Sequence, residues 1–478
     1  MAATYTTPKL PLTLNTADLP APADEAAIRL LPTPEVATLT GPQGQTGEVN
    51  LVIENDKPVL FVSLGKADKI ITDTYRQAGG KLADWLLKHP VSQLGIDADQ
   101  VEGAELAAFG EGLLLGAFRF ERYKKPEKSA VPCTITVRST SKKTEISKVV
   151  AHTNSLVSAV NLQRDWAHEP ASEINPQTLS ERAQELAATL GVKCNVLNEQ
   201  QLIEMGAGAI TAVGKGSKTP ARMIVLEYAG KGKGVGQQPV ALVGKAITFD
   251  TGGYSLKDVV NIQTMKYDKC GGLNVLAIFK AAVELGLETP LVGVICAAEN
   301  MISGKAYRPD DILTSLSGKT IEIVTTDAEG RLILADGLTY AQKNFNPRAV
   351  IDMATLTGGV VTALGRVRAG LFSNDDTLAG QLFQAGEATH ERLWRMPLDE
   401  DYLAQIKGDD ADLRNSGGKE ATPVIGGMFL KQFIEEGTRW AHLDIAGVAD
   451  VPRDLPYSQK GATGFGVRLI IKYLEGLE

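Results

Sequence analysis

Two periodicities take turns along this chain. In its first part, short β-branched runs with strand character, Val49 to Ile53 and Val59 to Leu64, are followed by stretches of helical spacing around Tyr75 to Leu87 and Glu102 to Leu115. Val131 to Val137 adds a strand. Ile146 to Asp165 keeps helical spacing without an interior Pro or Gly until His168-Glu169-Pro170 stops it. The pattern predicts a smaller N-terminal α/β domain over 1–150 and a joining helix over 151–170. From Pro176 onward helix and strand patterns succeed one another. A helix is expected from Leu179 to Leu190 and a long apolar one from Leu273 to Leu285, with strands at Met223 to Glu227, Val240 to Gly244, Leu291 to Ala297, Ile321 to Val324 and Ala349 to Met353. Strands separated by helices predict a mostly parallel or mixed sheet covered on both faces, here over 171–478.

Length agrees with two domains, since 478 residues exceed what one hydrophobic core usually holds. Composition narrows the class. At 44% hydrophobic and 22% charged residues the chain falls in the ordinary globular range. A net charge of -8 argues against a nucleic-acid binder that works by surface-wide charge, although a local basic patch stays open. Cys133, Cys194, Cys270 and Cys296 are scattered, which reads as reduced thiols and excludes a zinc ribbon. The N-terminal stretch MAATYTTPKLPLTLNTADLPAP lacks the pattern of a leader, and no run is long enough to span a membrane, so the expected location is the cytoplasm.

The candidate chemistry is concentrated between Lys245 and Arg331. In GKAITFDTGGYSLK a strand ending at Gly244 would deliver Lys245 and Asp250 to the end of the sheet, and Gly252 and Gly253 would let backbone approach closely; taken alone, the stretch also fits a plain turn. In NIQTMKYDKCGG, Asp268 precedes a helix, where an N-cap is the bland alternative. In TTDAEGRLILADGL, Asp327 and Glu329 lie two residues apart beyond the run Ile321 to Val324. Like charges that close call for a cation, either a divalent metal or, in an ion-pair network, Arg331. Carboxylate oxygen and amine nitrogen suit Mg, Mn or Zn without choosing among them. The five histidines, His89, His152, His168, His390 and His442, form no close pair and no HExxH, and there is no GxSxG elbow for a serine hydrolase. Ser317-Gly318-Lys319-Thr320 imitates the end of a phosphate loop without its glycine-rich cradle, and Lys319 reads as a solvated turn residue.

Together GKAITFD, MKYDKCGG and TTDAEGRLILADGL resemble the cytosol, or leucyl, aminopeptidase family. The likeness continues in NLQRDWAHEPASEINP, IDMATLTGG, ADLRNSGGKEATP and WAHLDIAG. It implies a metal-dependent aminopeptidase releasing N-terminal, preferentially leucine-like residues, with a catalytic domain from about residue 170 and an N-terminal domain concerned with regulation or assembly. It implies two divalent ions, Mn or Zn, held by Lys245, Asp250, Asp268, Asp327 and Glu329. Asp250 and Glu329 would bridge the ions, Lys245 and Asp268 would complete one, and Asp327 with its backbone carbonyl the other. A metal-bridging hydroxide would attack the peptide carbonyl, Lys257 would steady the developing oxyanion, and Arg331 with Leu356 would hold a bicarbonate.

By the same resemblance Met265, Thr355, Leu356, Gly358 and Ala446 line a pocket for apolar first residues, and the chain assembles as a homo-hexamer. Three positions depart from the family pattern: Thr251 for Ser, Thr325 for Asn, and Lys269, which puts a charge beside Asp268. The resemblance leaves two other readings to weigh. One is a two-metal phosphatase or amidase of another class; the other is a catalytically impaired member with an assembly or DNA-binding role.

Overall fold

The computed structural model describes residues 12–17, 25–31, 45–125 and 131–477. Much of the N-terminal stretch MAATYTTPKLPLTLNTADLPAP lies outside these residues. The chain divides into two compact units. One runs up to Asn161 and includes Val451–Gly461; the other comprises Leu162–Asp450 and the segment from Ala462 onward. The helix expected from Ile146 to Asp165 extends over Lys143–His168 and carries the chain from one unit into the other.

The first unit is α/β. Its six-stranded sheet has the order Leu12–Thr16, Cys133–Arg138, Gln93–Asp97, Ala26–Leu31, Lys57–Ser63, Val49–Glu54. All neighbours are parallel except the hairpin that joins the last two strands. Helices Thr72–Lys88 and Gly103–Gly116 pack tightly on one another because glycines line their contact. A Cβ at Gly112 would fall 1.8 Å from the carbonyl of Arg76, and one at Gly79 2.1 Å from that of Phe109.

The second unit is built on an eight-stranded mixed sheet. Its order is Leu393–Arg395, Ala369–Ser373, Trp440–Asp444, Ala349–Ala354, Val240–Asp250, Leu291–Asn300, Arg222–Tyr228, Lys193–Leu197. The four middle strands, Trp440–Asp444 through Leu291–Asn300, run parallel. Helices cover both faces. Cys270–Leu285 approaches Gly244, Ala246 and Ile295 through Gly271 and Gly272, whereas Glu329–Phe345 approaches Val243 and Cys296 through Gly337. Strand alternation accounts for this, because 244 and 246 share one side and 243 faces the other.

Two strand expectations change. The strand beginning at Val240 does not stop at Gly244 but continues to Asp250, pairing along Leu291–Asn300 with an irregularity before the Asn300–Asp250 pair. The break suggested by Lys245 disappears because that lysine is buried among carboxylates. Of the run Ile321 to Val324 only Ile321 and Glu322 are in a strand, Thr320–Glu322, which belongs to a separate three-stranded sheet with Ile312–Thr314 and Leu413–Arg414. Lys319 is half-buried, its Nζ bonded to the carbonyl of Gln432, and is not a freely solvated residue. Among the described residues no helix is long and apolar enough to cross a membrane.

Candidate active site

Four parallel strands end side by side, and their carboxyl ends are where open α/β sheets receive ligands. These ends supply Asp444, Ala354, Asp250 and Asn300. Lys245 lies inside one of the four strands. Its Nζ reaches Asp268 Oδ1 at 2.8 Å, Glu329 Oε1 at 2.9 Å and the Thr355 carbonyl at 2.7 Å. Beyond the strand, Gly252 and Gly253 adopt positive φ (85° and 63°) and turn the chain back. A Cβ at Gly253 would fall 2.8 Å from Thr326 Oγ1. The turn returns Lys257 Nζ to Asp250 Oδ2 at 2.8 Å and to Asp327 Oδ1. Thr251 keeps the turn in shape by donating to the Asn300 carbonyl and accepting from the Gly253 amide.

Asp268 is not an N-cap. The helix that follows starts at Cys270, and the Asp268 carboxylate pairs instead with Lys245 and accepts from Thr355 Oγ1 at 2.7 Å. Glu329 is the first residue of its helix, where the unpaired amides and the helix dipole favour a carboxylate. Lys269 turns away from the cluster. Its fully buried Nζ donates to the carbonyls of Ala167, Glu169 and Lys266, so it satisfies the end of Lys143–His168. The charge added beside Asp268 therefore points into a helix terminus. Thr325, the other departure, accepts the Asp327 amide on its hydroxyl, while its backbone amide donates to Asn415 Oδ1 and its carbonyl accepts from Asn415 Nδ2.

A single cavity of about 770 Å³ is lined by Lys245, Asp250, Lys257, Met265, Asp268, Asp327, Glu329, Thr355, Leu356, Gly358 and Ala446. Of the ligand, catalytic and pocket residues that the resemblance implies, Arg331 alone is not on the wall. It is buried behind it, Nη1 donating to the Asn415 carbonyl at 2.8 Å and Nε without a partner. The amide of Leu356 donates to Asp444 Oδ1. Sequence reading missed the residues that orient the cluster. Asn300 donates to Asp250 Oδ1 at 2.8 Å and to the Thr326 carbonyl at 2.9 Å, and Tyr307 donates to the same carbonyl.

Burial first, and neighbouring charges second, shift the groups of the cluster. Burial pushes Asp268 up to about 8 against the pull of Lys245, and Asp327 up to about 6 against that of Lys257. Asp250 is raised by burial and by Glu329. Glu329 moves down: burial would raise it, but Lys245 and Lys257 outweigh that effect. Burial would also lower both lysines, yet the surrounding carboxylates hold each above the ordinary lysine range. Arg331 is lowered by burial to about 10 and stays a cation.

Two ammoniums thus face the four carboxylates Asp250, Asp268, Asp327 and Glu329. Asp268 Oδ2 and Glu329 Oε2 are buried without a partner, and one oxygen each of Asp250, Asp327 and Glu329 lie within 4.8 Å of one another. Four carboxyl groups against two ammoniums, orphaned buried oxygens and convergent carboxylates together fit a site for divalent cations.

Residues 161–471 match the model of the cytosol aminopeptidase family catalytic domain, and residues 25–127 that of the same family's N-terminal domain. The chain belongs to the cytosol aminopeptidase family. It is thereby placed among metal-dependent aminopeptidases. A probable cytosol aminopeptidase of Brucella suis is 39% identical over 468 residues, covering 95% of this chain and 92% of its own. One from Aquifex aeolicus is 40% identical over 449 residues, with coverages of 92% and 89%. Among solved structures, the bottromycin maturation enzyme BotP superposes with a TM-score of 0.86 at 32% identity, covering 95% of this chain and 99% of that one. The same enzyme has been solved in complex with Mn.

One expectation concerns Gly330, embedded in a motif of this family. A Cβ there would fall 2.7 Å from Lys245 Cε and 2.8 Å from Nζ, and that lysine is held by three partners. Gly330→Ala should leave the fold intact, since Ala favours the helix. Displacing Lys245 should still lower bound metal and activity by about tenfold or more. Metal content and rate, measured beside the circular-dichroism spectrum, check this.

Proposed function

We propose that this chain releases N-terminal, preferentially apolar, leucine-like residues from peptides in a reaction that depends on two divalent ions, Mn or Zn. One observation carries the reading: a single cavity collects four carboxyl groups against two ammoniums, orphaned buried oxygens and a half-apolar wall. Lys245, Asp250, Asp268, Asp327 and Glu329 would hold the ions, and Mn is a reasonable occupant given the manganese complex of the similar BotP. In that role Lys245 would release to solvent the proton that its ion pairs now hold, which an adjacent dication favours. When bound, the ions supply an activated water nucleophile and polarise the carbonyl.

The chain's own groups do the rest. Lys257 stays protonated and steadies negative charge developing on the carbonyl oxygen. Arg331, through its unpartnered Nε, would hold the bicarbonate implied by the family resemblance; Leu356 would contribute to that site by position, since its amide is engaged by Asp444. Met265, Thr355, Leu356, Gly358 and Ala446 form the wall against which the first side chain packs. Burying a leucine there in place of a glycine is worth about 1.5–3 kcal/mol, enough for a selectivity of tenfold to a hundredfold. A hexameric assembly and a cytoplasmic location complete the proposal. The impaired alternative is motivated by Lys269 and Thr325; Lys269 points away from the cluster, and the Thr325 hydroxyl accepts the Asp327 amide beside it.

The test is a substrate comparison. Purified protein loaded with Mn or Zn should hydrolyse leucyl amide, act on glycyl amide roughly ten times more slowly or worse, and leave a phosphate monoester untouched. Phosphatase activity without amide hydrolysis would overturn the reading.

A further inference from the structure

The segment Thr355–Gly358 is held at both ends. Toward the carboxylate cluster, the Thr355 carbonyl accepts from Lys245 Nζ at 2.7 Å and its hydroxyl donates to Asp268 Oδ1 at 2.7 Å. At the other end stands Asp444, the fully buried last residue of Trp440–Asp444. Its Oδ1 accepts the amides of Leu356 at 3.1 Å and Ala446 at 3.2 Å, and its Oδ2 accepts the Thr357 hydroxyl at 2.6 Å. That hydroxyl in turn accepts the Val360 amide at 3.2 Å and caps helix Gly358–Leu364.

We propose that Asp444 is the positioning residue that fixes the first-residue pocket, clamping its two walls, Leu356–Gly358 and Ala446, at a set distance from the carboxylate cluster. The proposal rests on the aminopeptidase reading and adds to it the source of side-chain selectivity. Three donors converge on two oxygens, so the site calls for an acceptor with no proton of its own. An amide in its place would turn an NH₂ group toward at least one of these donors. Because Thr355 is tied to the cluster independently, loosening Asp444 should deform the pocket without emptying the metal site.

Asp444→Asn and Thr357→Val, with Thr357→Ser as the conservative control, test this on the metal-loaded full chain. Expected for the first two is unchanged metal content and a KM for leucyl amide raised about tenfold, the loss of one charge-assisted hydrogen bond. The preference for leucyl over glycyl amide should fall by a similar factor, with kcat changing less. Thr357→Ser should restore both KM and preference. A purely structural role would lower activity on all amides in parallel, and that result, or unaltered KM and preference in both variants, overturns the proposal. If Asp444→Asn does not fold, Thr357→Val against Thr357→Ser decides by the same criteria. An active wild type with unaltered variants removes this proposal alone. A metal-loaded wild type that hydrolyses no aminoacyl amide removes the aminopeptidase reading, and this proposal with it.

Discussion

Lys257→Ala is expected to keep its metal and lose about a hundredfold or more in kcat, the 2.7–4 kcal/mol typical of a removed oxyanion donor. The lysine sits in the cavity wall with 14% of its side chain exposed and reaches Asp250 and Asp327. Burial would lower its pKa, but Asp250, Glu329 and Asp327 hold it above the ordinary lysine range. Its ammonium stands in the cavity wall between Asp250 and Asp327, placed to stabilise negative charge developing beside them. Elemental analysis beside steady-state kinetics separates the possibilities. A fully loaded variant as fast as the wild type would make Lys257 a bystander, and a variant lacking an ion would make it part of the metal site.

Lys245→Ala should have the opposite signature, with metal lost first and activity falling to background as a consequence. In the chelated protein it should also reduce stability by roughly 3–5 kcal/mol, because Asp268 and Glu329 would both be left buried without their counter-cation. Lys245→Met keeps most of the volume, so it should recover part of the stability and none of the metal. Denaturant unfolding of the chelated variants, read beside metal content of the loaded ones, checks both halves. A Lys245→Ala protein with two ions and normal turnover would contradict the assignment.

The contrast between these two lysines shows what sequence could and could not convey. Apolar spacing identified the helices that became Thr72–Lys88, Gly103–Gly116 and Cys270–Leu285, because each has a long repeating pattern. It failed inside Val240–Asp250, where Lys245 interrupts the apolar run and looks like a strand end. A lysine is expected to be exposed, and only its pairing with Asp268 and Glu329, 23 and 84 residues further on, makes its burial tolerable. The short strands Ala369–Ser373 and Leu393–Arg395 offer too few residues for a period to register. WAHLDIAG carried family likeness without showing that WAHLD is a central strand ending in Asp444.

For the site, the acidic residues drew notice as carboxylates crowded beside glycines, but each stretch alone also fitted a turn, an N-cap or an ion-pair network, and it was the family resemblance that joined them into one set. Their supports drew no notice. Asn300, Tyr307 and Asp444 look ordinary in sequence, and their roles follow from which atoms they reach across the sheet. The N-cap alternative for Asp268 was reasonable locally and was overridden by a tertiary ion pair, a competition that no window of sequence contains. Arg331 shows the same limit in reverse. Its motif was plain, yet its position behind the cavity wall, bonded to Asn415, depends on a loop 84 residues away.

On the proposed reading, the cluster from Lys245 to Glu329 binds divalent ions in order to hydrolyse aminoacyl amides. Chelated protein titrated with Mn or Zn, with leucine release from leucyl amide followed at each step, tests it most directly. Activity should be absent at the start and should rise to a plateau at two ions bound per chain. Full activity in the chelated protein, or none at any metal loading, would contradict it.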